Sequence, residues 1–349
     1  MTDHRTDAAT ASIHPTAPQP DEHLLPLSRH PLRADRTTRR QFTAYGLTLA
    51  ALLPGGAAIA VAEGVDLRTL ETASPLGQLA LFGAAFAPTV AMLVAWAVGQ
   101  RGPDWGFRRT PWRSVGIAWL FSVVAVFSSY AAGWLTGVAG FDPARLEAGT
   151  GMPPLVALAV GLLPGVLPFV LLAIGEQLGW SSFLTVRLAA LRGPDVTALV
   201  VGLGWAACHV PMMLFVPGAV ADGVPMAWAV SMFAIQTLAF AFPMVWLRLR
   251  TRSIWPVLVL HATLNAAIYF VAEFVTVPTA ASEWFIGEGG VFTAAGAVLA
   301  VLVTIPLWRG PRAERAAVLA GRFGTSASPE RPRRASKRRR GAEAAADVA

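Results

Sequence analysis

The feature that most constrains this chain is a series of apolar stretches of about 18–25 residues, the length a helix needs to cross a bilayer. They fall at about 42–62, 76–98, 114–138, 153–174, 196–216, 226–247, 254–275 and 290–308. Hydrocarbon offers no partner to an unpaired backbone N–H or C=O, so each stretch must satisfy its own backbone as a helix. The pattern predicts an all-α, polytopic membrane protein with about eight transmembrane helices. Composition agrees, because 54% hydrophobic and only 14% charged residues lie outside the range of an ordinary soluble domain.

The connections carry an orientation. Arg29, Arg33, Arg36, Arg39 and Arg40 precede the first stretch, and Arg101, Arg108, Arg109 and Arg113 follow the second. Arg187 and Arg192, then Arg248, Arg250 and Arg252, then Arg309 and Arg312 follow the fourth, sixth and eighth. The intervening loops hold Glu63, Asp66, Glu71, Asp142, Glu147, Asp222, Glu283 and Glu288. Cytoplasmic loops are enriched in Arg and Lys, so both termini are expected in the cytoplasm.

A transmembrane helical domain is expected over 41–310. Residues 1–40 are polar and Pro-rich and read as a disordered cytoplasmic tail without a cleavable signal peptide. Residues 311–349 read as a second, basic disordered tail. Its run RPRRASKRRR suits either a contact with anionic membrane lipid or a solvated retention tail. The net charge of +7 reflects these segments and gives no reason to expect nucleic acid as a partner. High Ala, Arg and Gly with a single lysine, Lys337, suggests a bacterial cell membrane. Cys208 is the one cysteine; it reads as a small apolar filler.

Ionisable groups inside a bilayer are costly and mark function by default. Four of the six histidines, His4, His14, His23 and His30, lie in the N-terminal tail, which leaves His209 and His261 inside apolar stretches. Glu176 is the main embedded carboxylate, with Glu273 near an outer end. His261 and Asn265 are four residues apart and share one helical face. At 1.5 Å per residue, His261 lies about 14 Å from Arg252 and Glu176 about 16 Å from Arg187, while His209 lies about 20 Å into its stretch. Three helices thus bring polar groups to a similar level, which predicts a wet pocket open to the cytoplasm.

Two chemistries suit that inventory. Glu176 can take a proton from water with help from an imidazole, while Asn265 and a second imidazole donate to an oxyanion. Alternatively, Glu176, His209 and His261 ligate Zn²⁺ with a position open for water. Either arrangement hydrolyses a peptide bond. Ser181 and Ser182 follow Glu176, but no embedded Asp orients a histidine for a serine mechanism.

The segments GEQLGWSSFLTVRLAALRGPDVTALVVGLGWAACHVPMML and SIWPVLVLHATLNA resemble the CPBP family, the CAAX-protease and bacteriocin-processing (Abi-type) intramembrane endopeptidases that include the Ras-converting enzyme. The resemblance spans about 165–275. The family pattern is Glu-Glu, three residues and Arg; an aromatic, three residues and His; then His, three residues and Asn or Asp. Trp205 with His209, and His261 with Asn265, match the second and third motifs. The first keeps Glu176 but has Gln177 and Ser181 at the second Glu and the Arg.

The resemblance implies a water-activating Glu176 assisted by His209, and an oxyanion hole of His261 and Asn265. The family is classed as metalloprotease, though a metal-free glutamate mechanism has been argued for it. Membrane-associated peptides or proteins are the implied substrates. The departures at Gln177 and Ser181 favour a second reading, a non-catalytic membrane scaffold or immunity protein. A proton-coupled transporter would show inverted repeats, and none is evident.

Overall fold

The computed structural model describes residues 34–321. The tail expectations for residues 1–33 and 322–349, including the basic run, lie outside the described residues.

The described residues are helical almost throughout. Helix α1, Arg36–Ala62, is capped by Asp35, whose side chain accepts from the Thr38 amide. Helices α2, Pro75–Ala84, and α3, Ala87–Gly99, form one apolar pair bent by 63°. Helix α4, Trp112–Leu135, is unbroken, and a short α5, Ala144–Thr150, follows. Helix α6, Pro154–Leu162, ends at Leu163, and a new helical stretch runs from Pro164 to Arg192. That stretch comprises α7, Leu167–Gln177, a π-helical segment Leu178–Thr185, and α8, Val186–Arg192.

Next come α9, Pro194–Phe215, and α10, Met226–Thr251. Helix α11, Trp255–Asn265, passes through a π-helical segment Ala266–Ala272 into α12, Glu273–Val275. The chain closes with α13, Ser282–Phe285, α14, Val291–Val303, α15, Ile305–Arg309, and α16, Arg312–Leu319. Strands β1, Gly140–Phe141, and β2, Thr276–Val277, pair antiparallel and tie the end of α4 to the end of α12.

The all-α, multi-pass expectation holds. Among the described residues, six helices are long and apolar enough to span a membrane, or seven if the bent α2–α3 pair is one span. The eighth stretch contains α14, which is only 13 residues long. The boundaries of the fourth span need correction. Residues 153–174 are not one helix, because Leu163 precedes a proline and leaves the α region at φ −114, ψ −87, as residues before proline tend to. Glu176 is therefore interior to the Pro164–Arg192 helix rather than just past a span. The tail expected from 311 also gives way at α16, whose Glu314 pairs with Arg250 at 3.2 Å.

The core forms where α9 packs on α10, α11 on α4 and α7, and α1 on α3. Two glycines let the Glu176 helix approach the α2–α3 bend. A Cβ on Gly175 would come within 2.8 Å of the Ala85 carbonyl, and one on Gly179 would overlap Pro88. Small residues four apart commonly permit such close helix contact in membranes. The Thr89 hydroxyl crosses this contact and donates to the Gly175 carbonyl at 2.5 Å. At the α4–α11 contact, the Ser122 hydroxyl donates to the Leu260 carbonyl at 2.8 Å. Each bond lands on the residue just before Glu176 or His261.

The Arg-rich end is organised by Arg248, which is 1% exposed and donates to the Asp104 carbonyl at 2.7 Å. An open cavity of about 680 Å³ lies there, lined by Asp104, Arg108, Ser182 and Arg187 among others. It includes neither Glu176 nor either embedded histidine.

Candidate active site

Consecutive residues on a helix point about 100° apart, and Glu176 and Gln177 use that difference. Gln177 is buried at 2% exposure, whereas Glu176 is half-buried. The Gln177 amide is engaged on both sides. Its Oε1 accepts from the Ser181 hydroxyl at 2.6 Å, and its Nε2 lies 3.1 Å from Nδ1 of His261. The two departures from the family pattern thus form one hydrogen-bonded chain, Ser181 to Gln177 to His261.

That chain fixes the His261 tautomer. Nδ1 faces an N–H donor and accepts, so the proton sits on Nε2 and the ring presents a donor there. His261 is buried, and its ring stands edge-on to Trp205 at 5.0 Å between centroids. His209 has the opposite tautomer. Its Nδ1 is 2.9 Å from the Trp205 carbonyl, which can only accept, so Nδ1 is protonated and Nε2 keeps its lone pair. The His209 ring rests on Phe233 at 4.9 Å. One histidine is a donor to the site and the other an acceptor.

Glu176 and His209 both act electrostatically on His261, which brings together these three groups expected from sequence. Asn265 ends α11, half-buried and one turn beyond His261. Glu273 is exposed and lies three turns beyond His261. Tyr45 and Cys208 also lie within electrostatic reach of Glu176. Tyr45 packs on Trp180 at 5.9 Å. Its hydroxyl, together with the indole N–H groups of Trp180 and Trp205, is buried without a hydrogen-bond partner among the described residues. These donors border the region beside Glu176, and buried donors ordinarily find acceptors. Ser182 is committed elsewhere, donating to the Trp105 carbonyl at 2.9 Å.

The donor set does not fit a metal as arranged. Among the described residues, no three His, Cys, Asp or Glu side chains form a group that could hold an ion. With the Gln177 amide donating to Nδ1, His261 offers no free lone pair from either nitrogen. The expected Glu176, His209 and His261 ligand set therefore lacks one of its three donors.

Sequence reading notes Gln177 only as a departure from the family pattern and misses it as a partner of His261. The spacing of Gln177 and Ser181, one helical turn, was the available signal. Glu288 was read only as a loop acid, yet it lies within electrostatic reach of His209 and Glu176.

Comparison with curated proteins gives no match. Residues 157–267 match the family model described as Rce1-like, type II CAAX prenyl endopeptidase Rce1-like. This segment contains Glu176, Gln177, Ser181, His209, His261 and Asn265, the same residues that the helices bring to one region or one helical face. Residues 157–267 are thus similar to the CAAX-protease, or CPBP, family that the sequence motifs resemble.

Proposed function

We propose that the protein is an intramembrane endopeptidase in which Glu176 activates water against a peptide bond. The observation that carries this reading is the opposed pair of tautomers beside Glu176, fixed by Gln177 on His261 and by the Trp205 carbonyl on His209. Glu176 takes a proton from water, and the Nε2 lone pair of His209 accepts a hydrogen bond from the same molecule. The oxygen then bonds to the peptide carbonyl carbon. The developing oxyanion receives hydrogen bonds from Nε2–H of His261 and the side-chain amide of Asn265. The proton held by Glu176 passes to the leaving nitrogen as the C–N bond breaks.

Substrates are peptides or protein tails associated with the membrane, prenylated tails among them, reached from a cytoplasmic face that carries both termini. The departures at Gln177 and Ser181 favour the competing reading of a binding scaffold.

The test is cleavage of a quenched fluorescent peptide panel, prenylated tails included, by full-length protein in detergent. Wild type is compared with Glu176→Gln, and each with and without chelator. Turnover by wild type that vanishes in the variant supports the glutamate mechanism, and loss on chelation instead assigns the step to a metal. Peptide binding without cleavage in both proteins gives the scaffold.

A further inference from the structure

The open cavity at the Arg-rich end has no part in the peptidase reading. Its walls are the loop between α3 and α4 and the π segment that follows Gln177. Two bonds join them. The Asp104 amide donates to the Ser182 carbonyl at 3.0 Å, and the Ser182 hydroxyl donates to the Trp105 carbonyl at 2.9 Å. The volume of about 680 Å³ is ample for a small polar group with part of an apolar tail.

The charge around this cavity is unbalanced. Asp104 is the one carboxylate among the lining residues, and two guanidinium groups share it, Arg108 at 3.0 Å and Arg248 at 3.5 Å. Arg248 stands directly behind Gly106, where a Cβ would come within 2.9 Å of its Nη2. Arg101, next to the cavity, is matched by Asp35 at 2.7 Å. Arg187 is not matched, because among the described residues it pairs with no carboxylate. Its Nη2 donates to the Arg101 and Gly102 carbonyls at 2.6 and 3.0 Å, and its Cζ lies 4.9 Å from the centre of the Phe183 ring. Its buried Nε has no acceptor among the described residues. The guanidinium is thus held in place with donors and a charge unanswered, and an anion is the group that would answer both.

The rim of the cavity says which kind of anion. Trp105 meets Trp96, in the last turn of α3, at 6.0 Å, and Phe107 meets Trp255, the first residue of α11, at 5.8 Å. All four rings are exposed. Such amphipathic rings collect where hydrocarbon gives way to headgroups, so the cavity opens at headgroup depth. A free anion makes no use of an aromatic rim, whereas a lipid can lay its glycerol and upper acyl chains against it.

We propose that this cavity binds the phosphodiester headgroup of an anionic phospholipid, with Arg187 and Arg108 on the phosphate oxygens and Trp105 and Phe107 beside the glycerol. The inference stands apart from the peptidase reading, since binding requires no turnover.

The experiment follows the melting temperature of full-length protein in non-ionic detergent. It is titrated with short-chain phosphatidylglycerol, with phosphatidylcholine of the same chain length, or with inorganic phosphate. Phosphatidylglycerol is expected to raise the melting temperature saturably, and the other two to leave it unchanged over the same concentrations. Arg187→Gln should raise the half-saturating concentration roughly tenfold and Arg108→Gln by a smaller factor. Arg109→Gln, at an exposed arginine of the same loop outside the cavity, should stay within about twofold of wild type. That control is needed because basic segments attract anionic lipid by charge alone. Equal losses in all three variants, or none in any, overturn the site and leave only diffuse attraction. An equal response to phosphatidylcholine overturns the anionic headgroup, and a saturable response to inorganic phosphate makes the free ion the ligand and overturns the lipid. Should Arg187→Gln fail to fold, the comparison of Arg108→Gln with Arg109→Gln decides the matter. Unchanged lipid response in Arg187→Gln, with a raised KM only for peptides that end in a free carboxylate, would assign the cavity to substrate instead.

Discussion

Helix α4 and the helix packed against it, α11, are both apolar and similarly placed in the core, yet they differ in regularity. Helix α4 is α-helical from Trp112 to Leu135 and has no ionisable residue after Arg113 until its end apart from Tyr130. Helix α11 changes to π turns immediately after Asn265. The Glu176 helix makes the same change immediately after Gln177. Helix α9, which carries His209, has a proline at 211, two residues on. On two of the three helices π turns follow the site residues directly, as they often do at functional positions, while the third stays α-helical and carries a proline there.

The difference has a visible contributor. Regular helices reserve each carbonyl for the amide four residues on. Thr89 and Ser122 donate hydroxyls to the Gly175 and Leu260 carbonyls, one residue before Glu176 and His261. Competing donors of this kind loosen the regular ladder locally. Helix α4 supplies one of these hydroxyls, and the hydroxyls that its own mid-helix carbonyls at Ala118 and Ala125 accept come from Ser122, Ser128 and Ser129 of the same helix.

The largest effect that would break this comparison is at Glu176. Glu176→Gln is isosteric at a half-buried position, so the fold should persist while turnover falls by roughly 10²–10⁴. Circular dichroism and melting temperature check the fold, and initial rates check the chemistry. Next comes Gln177→Leu, which keeps volume but removes both hydrogen bonds. It leaves Ser181 and His261 unpaired in a buried setting, at a cost of about 1–3 kcal/mol. It also frees His261 to switch tautomer, so kcat should fall more than KM changes. A variant that melts lower but retains full kcat would show that the Ser181–Gln177–His261 chain is structural only.

Sequence alone made the helices legible because bilayer length is a strong physical filter. It made the His261–Asn265 face legible because helical periodicity requires it. The break at Leu163 was written in the Pro164 that follows, but an unbroken apolar run concealed it. The Ser181–Gln177–His261 chain was half visible: the one-turn spacing of its first pair is local, whereas His261 arrives from 84 residues away. The turn between α13 and α14 was not legible at all. Its placement depends on Gly289 meeting Ala229 and on Ile286 filling the space over Gly133, contacts that no periodicity encodes. The same holds for α16, a polar amphipathic helix that packs near Arg250 at the end of α10.

A finer test separates the two hydroxyls. Thr89→Val and Ser122→Ala each remove a hydrogen bond worth about 1 kcal/mol. The π segments predict that hydrogen exchange will slow within 178–185 or 266–272, respectively, if the competing donor loosens that helix. Equal exchange in variant and wild type would show that helix packing alone sets the π turns.

The smallest expected effect lies far from the site, at the start of α1. Asp35 accepts from the Thr38 amide and pairs with Arg101 at 2.7 Å. These bonds, the backbone one first, hold its carboxyl down at about 2 from an ordinary 3.8. A depressed acid stabilises the folded state fully above its unfolded value and loses that contribution as pH falls through the folded one. Protection of the first turn of α1, taken relative to the intrinsic exchange rate at each pH, should therefore be highest at pH 5 and fall progressively from pH 4 to pH 2. Asp35→Ala should show low protection throughout and lose that pH dependence, because no carboxylate remains to be protonated. Cleavage at neutral pH should be unchanged in this variant. If cleavage instead fell with the cap, the start of α1 would be coupled to Tyr45 three turns along, and the site would extend to the helix that packs on the α2–α3 bend.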